Sequence, residues 1–142
     1  DCTIVQVRSG RIRGDVTYTS ACNSFFQGLT ADGIKYAMWE LCKRCYRMDA
    51  PFQNVHPWVL IHDEIIAEGP EDTAHIWAPA MSELMVRTMQ EYIPDVPVEA
   101  EPALMRRWHK DAAPVYDTAG KLLVWESPDE RRKSSFTLTN SH

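Results

Sequence analysis

His62-Asp63-Glu64 sets three titratable side chains in succession between two apolar runs, Trp58-Val59-Leu60-Ile61 and Ile65-Ile66. The β-branched Val59, Ile61, Ile65 and Ile66 favour extended backbone, so the triplet reads as the exposed tip of a β-hairpin with buried arms. A carboxylate held at such a turn suits a hard divalent cation, Mg²⁺ or Mn²⁺, which takes oxygen ligands in a fixed geometry. Asp63 is the candidate metal ligand. One carboxylate seldom holds Mg²⁺ alone, so a second acid must come from elsewhere in the fold or from another chain. Two other readings compete. A hairpin tip can simply be solvated, or His62 can serve as a general base oriented by a carboxylate. For the latter, no nucleophile or oxyanion element lies nearby in sequence.

Cys42, Cys45, His56 and His62 supply a different candidate, a small zinc-binding module, because their spacing loosely mimics a Cys₂His₂ site. Pro57 and the apolar run between the two histidines favour an extended segment over the helix such a finger needs. Free cysteines behave as small hydrophobes, and reduced, buried thiols are the simpler account of Cys2, Cys22, Cys42 and Cys45.

The elements that would position these residues alternate between strand and helix. Thr3 to Val7 and Ile12 to Thr17, joined by Arg8-Ser9-Gly10-Arg11, form a hairpin pattern. Leu29, Ile34, Ala37, Met38, Leu41 and Cys45 recur near a helical period and predict a helix from about Gly28 to Arg47, with Cys42 and Cys45 on one face. Glu71 and Asp72 suit the start of a second helix, whose apolar stripe runs from Trp77 to Tyr92 and reads as core. Pro79 should start or kink its regular part. Val96 to Glu101 alternates as a strand, Leu104 to His109 suggests a short helix, and Lys121 to Trp125 a last short strand. Residues 127–142 are polar and aperiodic and read as a flexible tail, leaving 1–126 as one domain.

Composition bounds the function. At 142 residues, with 44% hydrophobic and 25% charged side chains, the chain can bury a core. A formal charge of −5 argues against holding nucleic acid by bulk electrostatics alone. It leaves metal-mediated contact open. No apolar run approaches the roughly 20 residues needed to cross a bilayer, and no secretory signal opens the sequence, so a soluble, cytoplasmic protein is expected. Lys35, Lys43, Arg44 and Arg47 on the first helix would either follow phosphates or form a solvated face. Arg106-Arg107-Trp108-His109-Lys110 has the basic and aromatic character of a single-strand contact, and Arg131-Arg132-Lys133 reads as a solvated charge run.

The segment Asn23-Ser24-Phe25-Phe26-Gln27-Gly28-Leu29-Thr30-Ala31-Asp32-Gly33-Ile34-Lys35, read with the downstream His62-Asp63-Glu64, resembles the C-terminal palm of family A DNA polymerases. These are the bacterial polymerase I type, and the phage relatives look especially similar. In that family an Asn-x-x-x-Gln-Gly-x-x-Ala-Asp-x-x-Lys segment opens a long helix, and a His-Asp-Glu turn, motif C, follows. The resemblance runs from about Ser9 to Trp125, where Val96-Pro97-Val98-Glu99 and Trp108 look like the closing strand and C-terminal segment. Thr19 stands where bacterial members usually carry Arg, and Leu60 where they often carry Gln, which removes two polar groups from the minor-groove contact.

The resemblance implies an α+β fold, a palm-like antiparallel sheet carrying the motif C hairpin against two long helices. It implies that Asp63 binds the catalytic Mg²⁺ or Mn²⁺, that Glu64 supports the site, and that His62 lies beside the primer terminus. Asn23 and Gln27 would reach the minor groove, where amides can meet the acceptors every base pair displays. The family also uses an earlier Asp, in motif A, and a fingers helix with Arg, Lys and Tyr, neither of which precedes Asn23 here. Two-metal transfer needs carboxylates from both sides. The implied function is therefore a C-terminal palm subunit or fragment of a template-directed DNA polymerase, inactive alone. Its partners would be primer-template DNA, deoxynucleoside triphosphate and a complementary chain carrying motif A and the fingers. A catalytically inactive polymerase-like accessory protein is the remaining alternative.

Overall fold

The computed structural model describes residues 2–131. Strands β1 (Cys2–Val5) and β2 (Ile12–Val16) pair antiparallel, with Ile4 opposite Arg13 and Val5 opposite Ile12. Arg8 and Gly10 take positive φ values of 72° and 68° in their turn. Thr17 then caps α1 (Tyr18–Arg47), its side chain accepting from the Ser20 amide at 3.3 Å. The helix thus starts ten residues before the Gly28 that apolar periodicity indicated. The reason is that its first turns face the β1–β2 ribbon through polar groups, which carry no hydrophobic period. At the other end Met48 closes the helix in the left-handed region, φ 55°, with its amide reaching back to Cys45 O at 3.1 Å.

After a short loop come β3 (His56–Ile61) and β4 (Glu64–Glu68), paired antiparallel, then α2 (Ala74–Tyr92). Pro79 lies inside α2 and leaves the His75 carbonyl without its helical donor, yet the helix continues through it. Strands β5 (Val115–Tyr116) and β6 (Leu122–Leu123) form a last small ribbon. The α+β class expected from the sequence is what forms, with the strands in three separate two-stranded ribbons around two packed helices.

The core joins α1 to α2 and to the loops between them. Ile34, Ala37 and Leu41 of α1 meet Trp77, Leu84, Met85 and Met89 of α2, with Phe52, Val55, Ile65, Leu104 and Leu122 closing the sides. Gly33 lets the helices approach: a Cβ there would stand 3.5 Å from Tyr92 Cβ and 3.6 Å from Met89 Cγ. At Gly69 a Cβ would lie 3.0 Å from both the Trp77 ring and Val55 Cγ2, so the exit of β4 passes between two buried groups.

Several expectations are corrected. The arms of the His62-Asp63 hairpin are not both buried: Ile65 is, but Trp58, Val59 and Ile61 are 67%, 40% and 41% exposed. A two-stranded ribbon lying on α1 has one covered face, so apolar residues on its other face stay open. Val96 to Glu101 forms no strand. Its backbone groups bond instead to one side chain: Gln90 Nε2 donates to Ile93 O at 2.6 Å and Val96 O at 3.0 Å, while Oε1 accepts from the Val98 amide at 3.3 Å. Leu104 to His109 is not a helix either. Leu104 bridges to Val124, and its carbonyl accepts from the Trp125 amide at 2.7 Å. Residues 128–131, expected to be tail, make a helical turn that begins with a reciprocal cap. The Ser127 amide donates to Glu130 Oε2 at 2.9 Å, and Ser127 Oγ accepts from the Glu130 amide at 3.3 Å. Hydrogen bonding from Ser127, its amide first, holds the Glu130 carboxyl below its usual range. Arg132, Lys133 and the rest of the predicted tail lie outside the described residues.

Candidate active site and duplex contact

Ile61 pairs with Glu64, so His62 and Asp63 alone make the connection between β3 and β4. Two-residue hairpin turns demand positive φ at their first central residue. His62 meets that demand at φ 55°. Histidine tolerates the left-handed region better than most residues, whereas a β-branched side chain there is strained. His62→Val should therefore lower stability by about 1–2 kcal/mol, and His62→Asn by much less, in urea unfolding followed by circular dichroism. Equal losses for the two variants would show that the turn does not constrain this position.

The turn presents His62, Asp63 and Glu64 to solvent, and among the described residues neither carboxylate has an ion pair or hydrogen bond. Asp63 and Glu64 line a cleft of about 1270 Å³ that Trp58, Arg106, Trp108 and His109 also line. The sequence reading did not place the 106–109 segment with the turn. His109 is held there by its ring lying 5.0 Å from that of Trp125, and Arg106 by a 2.7 Å bond to Glu71. Open carboxylate oxygens at the edge of a wide cleft are the kind of group a hard cation takes. Among the described residues, however, no group of three or more His, Cys, Asp or Glu side chains could enclose one. Asp63 and Glu64 alone do not enclose such an ion.

Asn23 and Gln27 are exposed one turn apart on the first half of α1. They do not line the cleft of Asp63; the α1 residue that does is Thr30, three positions beyond Gln27. The ground beneath the two amides is built from residues that the sequence reading did not single out. Gln6 Nε2 donates to Phe25 O at 2.9 Å, and Arg11 Nη2 donates to Gly28 O at 3.1 Å. Arg11 also pairs with Asp32 at 2.9 Å, and Ser9 Oγ donates to the same carboxylate at 2.6 Å. Arg13 bonds Ser24 Oγ. A Cβ on Gly28 would stand 2.7 Å from Gln6 Oε1, so any larger residue after Gln27 would displace the Gln6 side chain that bonds Phe25 O. That adjacency, Gln27-Gly28, was the visible signal.

A model of DNA polymerase family A matches residues 4–110. The chain belongs to that family. The matched span takes in Asn23, Gln27 and the whole His62-Asp63-Glu64 turn, and stops before β5. No match was found among curated proteins or among solved structures. A family A polymerase domain has DNA and nucleotides as its substrates.

The zinc arrangement does not assemble in this family A chain. Cys42 and Cys45 sit on α1 and His62 at a hairpin tip, and no such cluster forms among the described residues. Burial, and then the neighbouring Cys42, push the Cys45 thiol up to about 11, which disfavours the thiolate that zinc requires. No helix among the described residues is long and apolar enough to cross a membrane.

Proposed function

We propose that residues 1–126 form the C-terminal part of a polymerase palm, and that Asp63 is its motif C carboxylate. The observation that carries this reading is an exposed, unpartnered Asp63 in a two-residue turn, in a chain whose family match includes that turn. The left-handed backbone at His62 fixes the direction of the tip, so Asp63 is presented without a flexible loop behind it. Glu64, the first residue of β4, supports the same edge, and His62 stands beside the primer terminus. Asp63 would hold Mg²⁺ or Mn²⁺. When bound, such ions neutralise charge on the transferred phosphoryl group and orient the attacking 3′ oxygen.

Asn23 and Gln27 play the second part. Their amides both donate and accept, so they can test the minor-groove edge of any base pair without selecting sequence. Duplex held there supplies positioning, which is much of what phosphoryl transfer asks of the protein. The carboxylate that completes the metal site, and the fingers that receive the deoxynucleoside triphosphate, come from outside these residues.

Reconstitution tests the proposal. The chain, mixed with a polymerase segment carrying motif A and the fingers, should extend a primer on a template in the presence of Mg²⁺, and neither component should do so alone. Binding of primer-template DNA without extension, under conditions where the supplied segment is active with a known palm, would mark the chain as an inactive accessory protein and defeat the assignment.

A further inference from the structure

The second half of α1 carries a surface that neither the turn nor the Asn23–Gln27 face uses. Lys35, Trp39, Lys43 and Tyr46 follow at spacings of four and three, with Arg47 beside them, so they share one side of the helix. Ile34, Ala37 and Leu41, all buried, take the opposite side. Trp39 is 60% exposed and Tyr46 92% exposed. Large aromatic rings are seldom left this open on a helix whose core face is satisfied, and they mark a binding surface when basic groups surround them.

The charges around the rings are of one sign with one exception. Lys43 Nζ lies 5.7 Å from the centre of the Trp39 ring and 2.5 Å from Glu40 Oε1. That hydrogen bond holds Glu40 below the usual carboxylate range, so its charge is already engaged. Lys35 and Arg47 have no carboxylate partner among the described residues. A positive stripe on a chain of formal charge −5 therefore selects an anionic partner. The seven-residue interval between Trp39 and Tyr46 sets the rings about 10 Å apart along the axis, with cations on either side. Flat faces alternating with anions are what a single strand of nucleic acid offers.

We propose that this face of α1 binds single-stranded nucleic acid, with bases stacked on Trp39 and Tyr46 and phosphates held by Lys35 and Arg47. The site lies off the Asp63 cleft, none of these residues lining it. It goes beyond the polymerase reading and does not require it, since binding needs neither Mg²⁺ nor a second chain.

Fluorescence anisotropy of a dye-labelled oligothymidylate, titrated with the full chain at low salt and without Mg²⁺, tests it. Losing one stacking platform typically costs roughly tenfold in affinity, so Trp39→Ala with Tyr46→Ala should weaken binding at least tenfold. Tyr116→Ala, which removes an exposed ring from β5, should leave it unchanged. Lys35→Gln and Arg47→Gln should each reduce the slope of log affinity against log salt by about 0.7. Unaltered helical circular dichroism would confirm that the variants fold. Equal binding by the parent and the double variant, or none by the parent, overturns the proposal. So does a double variant that keeps its oligonucleotide affinity but no longer captures the polymerase segment used in reconstitution, because the face is then a protein interface.

Discussion

Asp63→Ala should lower the rate of primer extension by the reconstituted enzyme on the order of a thousandfold or more, because the transferred charge loses a fixed anionic anchor for its metal ions. Asp63→Asn keeps the size of the side chain and its turn preference but loses the charge, so it should fall nearly as far. Glu64→Gln, one residue into β4, should cost less. Folding should hardly respond: Asp63 is exposed and unpartnered, and such substitutions usually shift stability by no more than about 0.5 kcal/mol. Primer-template affinity in the absence of metal should also persist, since Asn23 and Gln27 lie on another element. This combination separates chemistry from folding and from grip. Undiminished extension by Asp63→Ala would remove the carboxylate from the mechanism altogether.

The other large effect lies beneath the turn. Trp77 is 5% exposed, packs against Gly69 and Val55, and donates from Nε1 to Pro70 O at 3.1 Å. It therefore binds the end of β4 to α2 by both packing and hydrogen bonding. Trp77→Ala should cost about 3–5 kcal/mol, the usual range for emptying a buried aromatic site. The hydrogen bond to Pro70 is lost with it, adding about 1 kcal/mol. Because domains are commonly stable by only about 5–15 kcal/mol, this would remove a third or more of the stability of a typical domain. Trp77→Phe keeps most of the ring and should lose roughly half as much. Urea titration read by circular dichroism would show the midpoint falling at constant slope. A loss below about 1 kcal/mol for the alanine variant would mean that the hairpin is anchored elsewhere.

How far the sequence disclosed this arrangement depended on whether a residue acts through a period or through a partner. The hairpin around His62-Asp63, the two long helices and the Trp77–Met89 stripe follow from alternation and helical spacing, and all three form. Where polar groups do the organising, periodicity was silent. The first half of α1 is held at Ser24, Phe25, Gly28 and Asp32 by Gln6, Ser9, Arg11 and Arg13, so no apolar repeat announced its opening turns. The alternation at Val96 to Glu101 announced a strand, but the Gln90 amide supplies the hydrogen bonds a neighbouring strand would otherwise have given. The apolar arms of the hairpin were read as buried because composition alone does not say which face of a ribbon is covered. For the site, Asp63, Glu64 and His62 were identifiable as a turn, and the role proposed for them came from two motifs in order. That the cleft also includes Trp108 and His109 required the fold, since some forty residues lie between.

The β1–β2 ribbon has an implication for how this protein can be dissected. No residue before Ile34 belongs to the shared core, and the start of α1 is tied down by the ribbon's side chains instead. The Asn23–Gln27 surface and the Asp63 turn thus rest on separate foundations. An edit confined to the first sixteen residues would loosen the support of Asn23 and Gln27 and leave the Asp63 turn standing, so the two parts of the proposed site are open to separate dissection.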